Sequence, residues 1–319
     1  MKIYNSYKDI EFLDQEKILV NTGSEKNLLE LSRKDSDIKS VYKDLLANDY
    51  ILYLHKNSVS RFCKREFTYK LFTEEHKLNR YKNILYKLNP PSGRKINNKV
   101  SKKLLVIFAR MPSNQMYDNA KIPVRMFPPT FDNIERSLVK NVHIMRIMDL
   151  NVSHGSFYVN TTNNPLYEHE IQEAIKEVMD NLGVLKENVV FYGFSRGGSG
   201  ALYHGAMSDY KVLAVDPLLN IGGNMFMNDK RFLKGLRDED VTPKVNNYLA
   251  QSNKQEKFVI CCKNVKLYYE QIMKIDNNYI KRIDLEDDNI SIHSDVSPNS
   301  VPEQLMILNY LLGGEKLFQ

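Results

Sequence analysis

Residues 189–207 read VVFYGFSRGGSGALYHGAM. The run Val189–Tyr192 is apolar enough to fill a buried strand, and the Ala/Leu/Met stretch after the glycines reads as a helix. Between them, Gly193-Phe194-Ser195-Arg196-Gly197 matches G-x-S-x-G. In that pattern the serine stands on a sharp strand-to-helix turn, with its hydroxyl clear of the sheet. Side chains two residues before and two after it would collide in the turn, so both positions are glycine. The backbone N–H of the next residue, Arg196, then faces a developing oxyanion at the start of the helix. A phosphate-binding loop is the structural rival, but the stretch has no Lys-Ser/Thr and no G-x-G-x-x-G. Ser199 lies a turn into the helix and is the poorer nucleophile.

Working outward, strands and helices alternate. KLLVIFA (103–109), VHIMRIMD (142–149), NVVFYG (188–193), KVLAVD (211–216) and KFVICC (257–262) read as strands, with a sixth between 280 and 293. EHEIQEAIKEVMDNLG (168–183) carries Ile171, Ile175, Val178, Met179 and Leu182 on one face, and Gly183 ends it. VPEQLMILNYLL (301–312) reads as a closing helix. The expectation is an α/β-hydrolase-like fold: a mostly parallel sheet flanked by helices, with the site at the carboxyl ends of the strands. Before it, residues 1–98 read as a smaller α/β region, with a strand at 50–55 and charged helical stretches over 59–88. The polar, proline-bearing segment 89–103 is a linker signal. It sets a boundary near residue 98 between a lid, docking or polymer-binding region and a catalytic domain over 99–319.

Composition limits the function classes. Of 319 residues, 42% are hydrophobic and 26% charged, ordinary for a globular protein. The longest apolar run, LLVIFA, is far short of the ~20 residues that span a bilayer. The first residues carry charges where a signal peptide needs an apolar core. The expected location is therefore the cytosol, or the inner face of the membrane. Three cysteines without a CxxC spacing give no zinc or redox signature. The net charge of +6 favours anionic partners, but no basic-aromatic block points to nucleic acid.

A serine hydroxyl needs a base. The chain order serine, acid, histidine leaves His204 and His293 after Ser195. His204 rides the helix away from the strand ends and reads as structural. His293, in NISIHSDVSP before the closing helix, is the expected base. Asp216 ends a strand just before Pro217 and is the favoured acid; Glu270 is the alternative, and Asp295 could orient His293 locally. The acid would hold the imidazole's tautomer and stabilise the imidazolium. A second oxyanion donor is expected from Arg110 or Met111, after LLVIFA. Arg146 and Asp149 are expected in the same cleft as substrate-binding groups, with a surface salt bridge as the bland reading of either arginine.

The set FARMPSN (108–114), MRIMDLN (145–151), GSFYVNT (155–161), FYGFSRGGSGALYHG (191–205), LAVDP (213–217) and HSDVSP (293–298) resembles the XcbB/CpsF family of capsular polysaccharide biosynthesis proteins. That family is similar in turn to the second accessory protein of the accessory Sec system. The resemblance implies an α/β-hydrolase fold and acetyl transfer to carbohydrate hydroxyls. Ser195, Asp216 and His293 would form the triad and acetyl-CoA would be the donor. The acceptor would be a capsular or other cell-surface polysaccharide or its precursor, handled within a capsule-synthesis or secretion complex. Related proteins often carry lysine where this chain has Arg196, and some carry an acid near Lys263-Asn264, which keeps Glu270 open. A carbohydrate esterase using the same triad, or a non-catalytic scaffold, are the alternatives.

Overall fold

The computed structural model describes residues 3–12, 15–222, 228–252 and 254–313. Its first unit is a four-stranded sheet built from β1 (Ile3–Tyr4), β2 (Lys17–Asn21), β3 (Tyr50–Lys56) and β4 (Val59–Lys64), in the order β1-β2-β4-β3. The β3–β4 hairpin turns on Asn57 and Ser58, both with positive φ, as a two-residue turn matched to strand twist requires. The short α1 (Leu28–Leu31) and α2 (Ser36–Ala47) follow β2, and α2 buries Ile38, Tyr42, Leu45 and Leu46. Asp35 caps α2 by accepting from the N–H groups of Asp37 and Ile38.

After α3 (Tyr69–His76) come β5 (Asn79–Tyr81) and β6 (Ile84–Asn89). Of the stretch 59–88, expected to be helical, only 69–76 forms an α-helix. The alternation in VSRFCK buries Ser60, Phe62 and Cys63 while its charged residues stay half-exposed, which is a strand's period and not a helix's. Both β5 and β6 also belong to the main sheet. That sheet therefore crosses the expected boundary at 98, and the separate small sheet ends at Lys64.

The main sheet adds β7 (Lys103–Phe108), β8 (Val142–Ile147), β9 (Val189–Phe194), β10 (Lys211–Val215), β11 (Lys257–Cys262) and β12 (Lys281–Leu285). Its order is β5-β6-β8-β7-β9-β10-β11-β12. The strands β7 to β12 are parallel, and β6 runs antiparallel to β8. This is the α/β-hydrolase arrangement. Among the described residues, the remaining α-helices in chain order are α4 (Ile122–Met126), α5 (Tyr167–Leu182), α6 (Arg196–Met207), α7 (Thr242–Gln251), α8 (Lys266–Ile272), α9 (His293–Val296) and α10 (Val301–Gly313). The helices α5, α6 and α7 cover one face of the sheet and α10 the other, and α5 stops at Gly183 in the left-handed conformation. The sixth parallel strand occupies 281–285 only; His293 lies beyond it, at the start of α9.

The small unit sits on the loops that leave the carboxyl ends of β7, β8 and β10. Tyr42, Leu52 and Phe62 share one buried cluster with Val152, Phe157, Leu218 and Phe232. Tyr42 Oη and Ser153 Oγ are 3.0 Å apart, and Arg33 pairs with Asp118 at 2.6 Å. The buried Arg125 guanidinium donates to the carbonyls of Leu52 and Ser153. The described residues up to Lys64 thus brace the loops that shape the carboxyl edge of the sheet. No described helix is long and apolar enough to cross a membrane.

Candidate active site

Ser195 sits between β9 and α6 with φ 55° and ψ −125°, a conformation that a residue other than glycine adopts only where its surroundings impose it. Its N–H donates to the carbonyl of Val215 on the neighbouring strand. The flanking glycines are sterically required. A Cβ on Gly193 would run into the backbone of Gly197, and one on Gly197 into the carbonyl oxygen of Phe108.

Ser195 Oγ lies 2.8 Å from His293 Nε2, and His293 Nδ1 lies 2.6 Å from Asp216 Oδ2. An ionised carboxylate only accepts, so Nδ1 carries the proton, Nε2 is free to accept, and the serine hydroxyl donates to it. Asp216 also has positive φ, and its N–H donates to the carbonyl of Ile260, fixing it at the end of β10. Burial pushes its carboxyl pKa up, and the bond to His293 opposes that rise. Glu270 is exposed on α8 and is not the residue hydrogen-bonded to the imidazole. Asp295 accepts from the N–H groups of Ser291 and Ile292, so it fixes the turn that carries His293 instead of the ring.

Sequence reasoning missed Tyr268, whose ring stacks on His293 with centroids 4.1 Å apart and planes 9° from parallel. The residue stands two before Glu270, after β11, so its loop leads to the same sheet edge; no motif marks it. The serine opens into a cavity of about 650 Å³ whose walls include Met111, Tyr117, Phe131, Arg231 and Tyr268.

The other expected residues divide. Arg110 and Met111 both border the cavity. The N–H of Arg110 is directed at Thr130 Oγ1 (3.3 Å), and its guanidinium donates to the carbonyls of Pro129 and Met111. The side chain of Arg196 turns away and is fully buried, donating to the carbonyls of Ala109, Arg110, Met126 and His154. Its backbone N–H opens α6, where helical N–H groups lack partners within the helix. Asp149 does not face the cleft. It is fully buried, 3.7 Å from Arg196, and accepts from the N–H groups of Ser156 and Phe157 and from Tyr167 Oη. Arg146 lines a different groove, on the face of the sheet. Ser199 ties α6 to the loop at Leu218 through both the N–H and the carbonyl of that residue. His204 is buried, with Nε2 on the carbonyl of Tyr158 and Nδ1 on Gln172. Among the described residues, no group of three or more His, Cys, Asp or Glu side chains could hold a metal ion.

Comparison with known proteins adds relatives. The model of a family described as "Accessory Sec system GspB-transporter" matches residues 137–273, less than half of the chain. An accessory Sec system protein of Staphylococcus aureus is 35% identical over 83 residues, which is 26% of this chain and 15% of that protein. Among solved structures, a capsule O-acetyltransferase of Neisseria meningitidis serogroup A aligns over 72% of this chain and 93% of its own, at 13% identity and TM-score 0.49. A glycosylation associate protein complex of Streptococcus agalactiae aligns over 73% of this chain and 44% of that chain, at 17% identity and TM-score 0.48. A fluorophosphonate-binding serine hydrolase of Staphylococcus aureus aligns over 72% and 92%, at 16% identity and TM-score 0.47.

Proposed function

We propose that this chain is a serine-dependent acyltransferase that O-acetylates a capsular or other cell-surface polysaccharide through an acyl-Ser195 intermediate. The observation that carries the reading is the continuous relay from Ser195 Oγ through His293 to Asp216, at 2.8 and 2.6 Å. Ser195 Oγ attacks the acetyl carbonyl of the donor as His293 Nε2 takes its proton. The backbone N–H groups of Arg196 and Met111 receive the oxyanion; the Arg110 N–H, directed at Thr130, is the poorer donor. Collapse expels the donor's thiolate, which leaves with the proton from His293. A sugar hydroxyl then gives its proton to His293 and attacks the ester, and the serine leaves reprotonated.

The proposed donor is acetyl-CoA, whose phosphates are opposite in charge to Arg110 and Arg231 in the cavity lining. The match over 137–273 supports work beside a secretion complex; we place that work at the inner face of the membrane as part of the same proposal. A fixed relay of this kind also serves an esterase, since transferase and hydrolase differ only in which hydroxyl accepts the acyl group.

Intact mass spectrometry tests the class. Incubation with a fluorophosphonate or with acetyl-CoA should add one adduct to the chain and none to Ser195→Ala. Acetyl gain by added polysaccharide identifies the transferase; fast release to water with no gain identifies the esterase. Absence of any adduct would return the chain to a scaffold.

A further inference from the structure

We propose that the groove holding Lys87 and Arg146 is a subsite for the acceptor glycan and binds an anionic group on that glycan. This deepens the acyl-transfer reading and rests on it for the identity of the ligand as acceptor.

The groove has a volume of about 650 Å³ and lies on the sheet face formed by β6, β8 and β7. Lys87 and Arg146 are register partners across the antiparallel β6–β8 pair, and Ile107 continues the row on β7. Like charges directly opposite on one sheet face destabilise the pairing. Both cations are half-buried, and for Arg146 the loss of water lowers its pKa. No described residue lies within ion-pair distance of either cation. Asp132 and Glu135 line the same groove and act on Arg146 only at longer range. A pair of register-matched cations with no carboxylate at ion-pair distance among the described residues is electrostatically incomplete. An anion on Lys87 and Arg146 removes the repulsion between them. A guanidinium fork holds a carboxylate or phosphate through two parallel bonds.

The other walls fit a saccharide. Asn89 and Asn133 offer amides, Asp132 and Glu135 accept from hydroxyls, and Pro128 supplies an apolar surface. The groove adjoins the catalytic cavity. Thr130 and Asp132 face the groove while Phe131 between them faces the cavity; Ala109 borders the first and Arg110 the second. One segment, pinned by Arg110 to the carbonyl of Pro129, therefore separates the two spaces. A polymer passing over it would have one residue at Ser195 and an acidic group in the groove.

The test uses the full-length Ser195→Ala protein, so that binding is read without turnover. Three probes are titrated by calorimetry at low salt: an oligogalacturonate, a glycerol-phosphate oligomer and a neutral dextran oligomer. At least one acidic probe should bind at least tenfold more tightly than dextran; which one binds separates a carboxylate ligand from a phosphate. In that background Lys87→Met and Arg146→Gln should each weaken the binding about tenfold or more. Should Arg146→Gln fail to fold, Lys87→Met decides alone. Equal binding of all three probes, no binding of any, or undiminished binding by Lys87→Met overturns the proposal. Adduct formation at Ser195 is measured separately, so loss of the groove and loss of the acyl-enzyme are distinct results.

Discussion

The ring of Tyr268 lies flat against that of His293, with 4.1 Å between centroids and planes 9° from parallel. Stacking holds the imidazole in the plane that joins Ser195 to Asp216, and the π face stabilises the imidazolium that forms when the serine is deprotonated. Such a contact contributes about 0.5–1.5 kcal/mol. Tyr268 is therefore a positioning residue for the proposed chemistry. Tyr268→Ala should lower kcat for a small acetyl ester about three- to tenfold with little change in KM. Tyr268→Phe, which keeps the ring, should restore most of it. Equal losses in the two variants would show that the stack does not act through His293.

Asp216 holds the tautomer of His293 through the 2.6 Å bond to Nδ1. Asparagine at that position can present an N–H to Nδ1 and so favour the wrong tautomer. Asp216→Asn should lower turnover about 10³–10⁴-fold while leaving the fold intact. Glu270→Gln should leave turnover unchanged, because Glu270 is exposed on α8. Parallel assays of the two variants check the assignment; a large loss on the Glu270 side and none on the Asp216 side would reverse it.

The elbow was legible because its sequence is dictated by sterics: no other residue fits at 193 or 197 without moving backbone. Asp216 and His293 were legible because strand ends in such a sheet converge on one edge, and both stand just past a strand signal. Arg146 was not placed correctly for a reason that alternation explains. It shares a sheet face with Ile144, so its side chain leaves over the face and not over the edge where Ser195 stands. Asp149 lies past the strand, but its carboxylate is consumed by the turn at 156–157 and by Arg196. The strands at 59–64 and 84–89 were hidden by their lysines and arginines, which sit at half-exposed positions and imitate the polar face of a helix.

Arg196 is fully buried and serves four carbonyls beside the buried Asp149. Burial raises the Asp149 pKa, and Arg196 is the leading opposing influence. Removing the guanidinium strands a carboxylate and four carbonyls together. Arg196→Met should cost about 3–5 kcal/mol of stability, the range for breaking a buried pair. Lysine keeps the charge but has three donors and no planar fork, so Arg196→Lys should fall between the two. Urea unfolding of the three proteins gives the comparison, and a stability of Arg196→Met within 1 kcal/mol of the parent would show that the loops at 109–126 and 149–157 do not depend on it.

His204 supplies a pH dependence independent of catalysis. Its Nε2–H donates to the carbonyl of Tyr158 and its Nδ1 accepts from Gln172, so the neutral ring is fully satisfied and buried. Burial lowers its pKa from 6.5 to about 4. Between those values the unfolded chain binds a proton that the folded chain refuses. The stabilisation is therefore complete above pH 6.5 and is lost as pH falls toward 4, amounting to about 2 kcal/mol at pH 5. His154, also buried with a lowered pKa, acts in the same direction. His204→Gln keeps one donor and one acceptor but has no titration. It should be less stable than the parent at pH 7.5, yet lose about 2 kcal/mol less on going to pH 5. Unfolding free energies of both proteins at the two pH values decide the matter, and parallel losses would mean that His204 is already protonated in the native state.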